Sequence, residues 1–191
     1  MNTNKRVFHA GAFLLQWILG NAVGWIVGMA LFTSIGQFVE LITQGPLLII
    51  AWGIFGALAG AIVGVNQWIV LNLFSVPRGE QWQRGWIAAT VVGWSFSLMV
   101  VVGMAAGEAL GFTVSGAVIG IAVGISQWFV LHKHLKRAEW WGIANTIAWM
   151  SGMALLDLMD RAVGFALAGL VAGLITGLWL IWLFQRNEIE S

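Results

Sequence analysis

"GAIVGVNQWIVL" (60–71) and "GIAVGISQWFVL" (120–131) are one pattern written twice, G-x-x-x-G-x-x-Q-W-x-V-L. Neither stretch holds a charged residue. Each extends back by one more small step, giving the ladders Gly56-Gly60-Gly64 and Gly116-Gly120-Gly124. Residues four apart share a face of a helix. Where apolar expulsion cannot drive helices together, as in lipid, a ridge of small residues lets two backbones pack closely. The pattern therefore reads as a repeated membrane helix. A third ladder, Gly169-Gly173-Gly177, lacks the Gln-Trp.

The segments between these helices repeat too. Trp17 and Trp25 stand eight apart, as do Trp86 and Trp94, and Trp141 and Trp149. Counted from the second Trp, small residues recur at −5, −1 and +3: Gly20-Gly24-Gly28, Ala89-Gly93-Ser97 and Ala144-Ala148-Gly152. The unit is thus a two-helix hairpin used three times, at about 10–74, 82–134 and 139–186, within one membrane domain over 1–191.

Composition agrees. Of 191 residues 60% are hydrophobic and 9% charged, with a mean hydropathy of +0.88. Soluble domains carry about 25% charged residues, so a surface this poor in charge suits lipid and not water. A net charge of +1 without a basic stripe argues against a nucleic-acid partner. Cysteine is absent, which removes disulfides, thiolate metal sites and Cys nucleophiles. Lys5 and Arg6 precede a long apolar run with no small-residue cleavage site, so the first helix is expected to be retained.

Six spans are expected: 10–33, 47–72, 85–107, 112–132, 139–158 and 162–184. Gly-Pro at 45–46, "SVPRGEQWQR" (75–84), "GEALGF" (107–112), "HKHLKRAE" (132–139) and "DLMDR" (157–161) break them. With the N-terminus inside, Lys5, Arg6, Arg78, Arg84, Lys133, Lys136, Arg137 and Arg186 are all cytoplasmic, and only Arg161 is outside. An even span count puts both termini in the cytoplasm. Because two-helix units insert alike, the hairpins are parallel repeats about an axis along the membrane normal. The expected fold is an all-α integral membrane protein with six transmembrane helices in a pseudo-threefold bundle.

"QWFVLHKHLKRAEWWGIANTIAW" (127–149), together with "QWIVL" (67–71), resembles small multi-pass proteins of bacteria, cyanobacteria among them. That family carries repeated GxxxGxxQWxVL motifs followed by AxWWxxANxxGW-like segments. The resemblance covers most of the chain and implies a bacterial inner or thylakoid membrane. It implies no activity, and the sixth helix departs from it.

Thirteen Trp and no Tyr stand in the chain. Trp68, Trp82, Trp86, Trp128, Trp140, Trp141 and Trp182 lie near the cytoplasmic interface, where indoles anchor helices. Trp25, Trp94 and Trp149 fall at mid-span, each one turn after Asn21, Thr90 or Asn145. Polar groups at that depth face the bundle interior. Two uses fit: a central pocket for a lipid-like or aromatic ligand or a pigment, or interhelical hydrogen bonds that fix register. Gln67 and Gln127, with Asn66 and Ser126 before them and Trp68 and Trp128 after, form a second polar layer nearer the cytoplasm, open to the same two readings.

Glu40, Glu108, Asp157 and Asp160 each follow an odd-numbered helix. In a threefold bundle they would make an outer acidic ring of the kind that attracts cations, or remain solvated loop charges, with Asp157 paired to Arg161. His9, His132 and His134 lie outside the spans, and alternate spacing keeps the last two off one helical face, so no metal site is expected. No catalytic motif and no deep ionisable residue is present. The expectation is a non-enzymatic protein in contact with membrane lipids and with other membrane proteins, acting as a complex subunit, an assembly factor or a hydrophobic-ligand binder, with no cofactor required. The competing expectation is a small channel or facilitated transporter for an uncharged or cationic solute.

Overall fold

The computed structural model describes residues 9–42, 45–74, 80–104 and 111–189, and these are helical with short connections. Six helices follow in order: α1 Ala10–Ile42, α2 Pro46–Leu73, α3 Glu80–Met104, α4 Phe112–Leu131, α5 Trp140–Leu158 and α6 Arg161–Ile189. No strand occurs among the described residues. Five of the helices, all but α5, are long and apolar enough to cross a membrane. In its 19 residues α5 carries three Trp, Asn145, Thr146, Ser151 and Asp157, which lower its hydropathy.

Helix ends follow local chemistry. Gly45 takes φ 57°, a left-handed conformation that favours glycine, and Pro46 opens α2 at the first turn, where no amide donor is needed. Helix α1 runs more than two turns past the expected end at 33, because nothing before Gly45-Pro46 interrupts it. Glu40 therefore lies within α1 and not in a loop after it. Helix α3 starts five residues before position 85, its "EQWQ" segment being helical. Arg137 adopts φ 63° in the α4–α5 connection.

Each helix packs on its two neighbours in the chain, and α6 closes against α1. Among the described residues only neighbouring helices bring their backbones close together, and across the middle the helices meet through side chains alone. Every seam of this ring carries small residues. A Cβ on Gly56 or Gly60 would fall 2.5 Å from Trp94 O or 2.9 Å from Thr90 O, so α2 presses its ladder onto α3. Gly116 and Gly120 press α4 equally tightly onto α5, 2.5 Å from Trp149 O and from Thr146 Cα. Gly169 and Gly173 set α6 on Ala22 and Ile18 of α1, at 3.1 and 3.0 Å. The remaining seams use the odd helices: Gly24 against Val63, Gly93 against Val123 and Gly152 against Ala168 O.

The bundle sets a few polar side chains inside a mainly apolar, aromatic-rich interior and presents an apolar surface. Asn21, Gln67, Thr90, Ser97, Ser115, Gln127, Asn145 and Thr176 are buried. Leu19, Ile54, Leu58, Val92, Phe96, Ile121, Ile125, Ile143, Ile147 and Leu178 are exposed. So large an apolar surface would drive aggregation in water and is the normal state against acyl chains.

Candidate functional site

The candidate residues converge on the axis of the ring in three storeys. The first is Trp17, Trp86 and Trp141, exposed by 0, 0 and 1%. Trp86 lies 6.2 Å from Trp17 and 6.0 Å from Trp141, ring centre to ring centre. The second indole storey, eight residues on in each odd helix and so about 12 Å along the axis, is Trp25, Trp94 and Trp149. Their rings meet pairwise, with centroids 5.8, 5.2 and 5.0 Å apart, and so occupy the space between them. Trp86 and Trp141 thus belong to the core, correcting their assignment to the interfacial belt. Trp140 is exposed and Trp68, Trp128 and Trp182 are half-buried, while the side chain of Trp82 lies outside the described residues.

Between the two indole storeys lies one connected set of hydrogen bonds. Trp86 Nε1 donates to Gln67 Oε1 at 3.0 Å, and Trp141 Nε1 to Gln127 Oε1 at 3.0 Å. Gln127 Nε2 donates to Gln67 Oε1 at 3.2 Å and to Thr90 Oγ1 at 2.9 Å. Gln67 Nε2 reaches Asn21 Oδ1 at 2.8 Å. Asn21 and Asn145 each donate to the carbonyl four residues back, that of Trp17 and of Trp141, at 2.8 and 3.2 Å. Gln67 and Gln127 therefore form a single layer with Asn21 and Thr90, not a separate one nearer the interface.

Helix α6 has no glutamine for this layer. Leu180, fully buried, stands three residues after Gly177, where Gln67 follows Gly64 and Gln127 follows Gly124. Trp17 Nε1 donates instead to Thr176 Oγ1 at 3.0 Å, and that hydroxyl in turn donates to Ala172 O at 2.7 Å. All three first-storey indoles are thus satisfied. Thr176 is the participant that the sequence reading missed. Its signal was a hydroxyl directly before a ladder glycine, where Val63 and Val123 stand in the other two helices.

The second indole storey is less complete. Trp25 Nε1 donates to Phe165 O at 2.9 Å, but Trp94 Nε1 is buried without an acceptor among the described residues. Trp94 stands perpendicular to Trp149, an edge-to-face arrangement favoured between aromatic rings.

Of the four acidic residues, Asp157 and Asp160 have described side chains. Glu108 lies outside the described residues, and nothing is described of the Glu40 side chain. Asp157 instead works as a helix cap: its carboxylate accepts from Phe112 N at 3.1 Å, Thr113 N at 2.9 Å and Thr113 Oγ1 at 2.6 Å. The first turn of α4 has amides with no helical partner, and a carboxylate there also complements the helix dipole. Asp157→Asn is expected to weaken this junction. Hydrogen exchange at Phe112 and Thr113 should quicken while exchange in the middle of α4 stays unchanged; equal rates at the junction would remove the capping role. Asp160 is exposed just beyond.

His132 stacks on Trp128 with ring centres 4.8 Å apart. His134 is held below the usual imidazole range, first by burial and then by Lys133 and His132. Among the described residues no three His, Asp or Glu are placed to hold a metal ion. Against protein-family models, curated proteins and solved structures, the chain has no match.

Proposed function

We propose that this chain is a non-enzymatic integral membrane protein whose work is interaction: a subunit or assembly factor of a membrane complex, or a binder of a hydrophobic ligand such as a lipid or pigment. Its six helices, α5 included, would all span, as three parallel hairpins about a pseudo-threefold axis. Both termini would lie in the cytoplasm of a bacterial cell, with the bundle in the inner or thylakoid membrane. At about 28 Å, α5 comes within about one residue's rise of a hydrocarbon core of about 30 Å, and its polar Asn145 is buried within the bundle.

The observation that carries this reading is the filled axis. Two storeys of three indoles, with a bonded amide and hydroxyl layer between them, occupy the place where a conduction path or reaction chamber would run. Buried polar networks whose members are satisfied give rigidity and register. What this bundle offers other molecules is its outer wall. The channel reading, for an uncharged or cationic solute, draws on the same polar residues at depth.

Purification from native membranes in a mild detergent separates the two. A stoichiometric protein, lipid or visible absorbance travelling with the chain is the expected result. A solitary protein that conducts solute across liposomes, with flux lost in Asn21→Leu or Asn145→Leu, would overturn it in favour of the channel.

A further inference from the structure

Helix α1 is held less closely than the other five. A Cβ placed on a ladder residue comes within 2.5 Å of the neighbouring backbone at the α2–α3 and α4–α5 seams, and within 2.7 Å at the α3–α4 and α5–α6 seams. At the two seams of α1 the nearest backbone atoms stand farther off. Ile18 Cα lies 3.0 Å from a Cβ on Gly173, and Val63 Cα lies 3.2 Å from a Cβ on Gly24.

The α1–α2 seam is the wider of the two, and its backbones approach closely at the level of Gly24 alone. One turn to either side, a Cβ on Gly20 would meet Val70 Cγ2 at 3.6 Å and a Cβ on Gly28 would meet Ala59 Cβ at 3.6 Å, both ordinary side-chain contacts. Glycine inside a helix is costly in conformational entropy, and close approach does not demand it at these two positions. In the other two repeats alanine stands at the place of Gly20, as Ala89 and Ala144. Aromatic rings space the rest of the seam. Towards the Gly45-Pro46 turn, Trp52 Cη2 lies 2.9 Å from the Cβ position of Gly36. At the other end Phe13 meets Phe74 edge-on, with centroids 5.5 Å apart.

Hydrogen bonds decide the direction in which α1 is free. Trp17 Nε1 ties it to Thr176 Oγ1 of α6 at 3.0 Å, and Trp25 Nε1 ties it to Phe165 O of α6 at 2.9 Å, one bond on each side of the polar layer. Towards α2, Asn21 Oδ1 accepts from Gln67 Nε2 at 2.8 Å. A bond of this kind between membrane helices is weak, because the parted groups find other partners.

We infer that α1 is the movable stave of the ring. It swings out from α2 while it keeps its bonds to α6, so the bundle opens along the α1–α2 seam. In the open form Asn21 and Gln67 part and their carboxamides face the membrane through the seam. A bundle with a filled axis then has access to its polar layer from the side.

The chain has no cysteine, so single thiols report the seams one at a time. Val63 on the α1–α2 seam and Val123 on the α3–α4 seam are repeat equivalents, each 3% exposed, and they lie against Gly24 and Gly93. The probe is N-ethylmaleimide in mild detergent, with each rate referred to that of the same chain unfolded in urea and dodecyl sulfate. Val63→Cys is expected to react about tenfold faster than Val123→Cys, since a buried group reacts in proportion to how often its surroundings open. Gly28→Ala places a methyl group in ordinary contact with Ala59 and fills the seam. It should slow the reaction at Val63→Cys and leave that at Val123→Cys unchanged. Equal rates at the two thiols, or no slowing by Gly28→Ala, overturn the moving α1. Nitroxide pairs at exposed equivalents leave the core intact: Val23→Cys/Ile69→Cys spans α1–α2, and Val92→Cys/Phe129→Cys spans α3–α4. Electron–electron distances should fall in two populations across the first seam and one across the second. Distributions of the same shape across both seams overturn it as well.

Discussion

Gly120→Ala should lower the stability of the bundle by about 2–3 kcal/mol, the cost of forcing a methyl group into a well-packed interface. The added Cβ would fall 2.5 Å from Thr146 Cα, 2.6 Å from Asn145 O and 2.9 Å from Asn145 C, all backbone atoms of α5. A backbone cannot swing aside as a side-chain tip can, so α4 and α5 must separate along their length. Separation also stretches the 3.0 Å bond from Trp141 to Gln127 and so strains the polar layer. In lipid, close packing is itself a principal source of helix association, so the loss is not recovered by apolar burial elsewhere. Gly142→Ala is the matched control: same helix pair, same substitution, no atom within 4 Å. It should leave stability unchanged or raise it by up to about 1 kcal/mol through lower chain entropy in the unfolded state. Unfolding of both variants in one detergent, followed by tryptophan fluorescence, checks the pair. Equal stabilities would mean that α4 and α5 do not approach as closely as their ladder requires.

Much of this architecture was legible because its signals are local. Small residues four apart announce a close helix contact wherever the partner lies, and the glycines so marked do sit at the seams. Gly45-Pro46 and the charged 132–139 segment mark breaks through backbone chemistry alone. What was not legible depends on rotation and on pairing. Trp86 and Trp141 lie near helix starts, the right depth for an interfacial belt, but depth says nothing about which side of a helix faces the axis. Gln67 looks remote from Asn21 along the chain, yet the antiparallel course of α1 and α2 brings the two to one level. Asp157 lies one turn before Arg161, so a local pair is the natural expectation. Its observed partners at Phe112 and Thr113 are more than forty residues away and are set by how α4 meets α5. Residues 34–42 are less apolar than the run before them, which suggests a loop around Glu40, although nothing there breaks a helix.

The second large effect concerns α6, where the pattern departs from its two companions. Thr176→Val removes the acceptor of Trp17 Nε1 and strands an indole N–H in a fully buried position. A buried donor left unpaired costs about 1–3 kcal/mol. Hydrogen bonds between membrane helices average only about 0.6 kcal/mol, because the unfolded chain in lipid finds other partners, so about 1–2 kcal/mol is expected here. Leu180→Gln alone should also destabilise. It places an amide among Phe13, Trp17 and Leu183 while Thr176 still holds the indole proton. Together the two substitutions write into α6 the Val-Gly-x-x-Gln of α2 and α4, with valine before the last ladder glycine and glutamine three residues after it. If the three hairpins are equivalent units, the amide oxygen introduced by Leu180→Gln accepts from Trp17 as Gln67 does from Trp86 and Gln127 from Trp141. The double variant should then be more stable than the sum of the single losses by about 1 kcal/mol or more, a coupling that independent sites do not show. Simple additivity would mean that α6 holds α1 by a geometry of its own, and the threefold description would fail for the third unit.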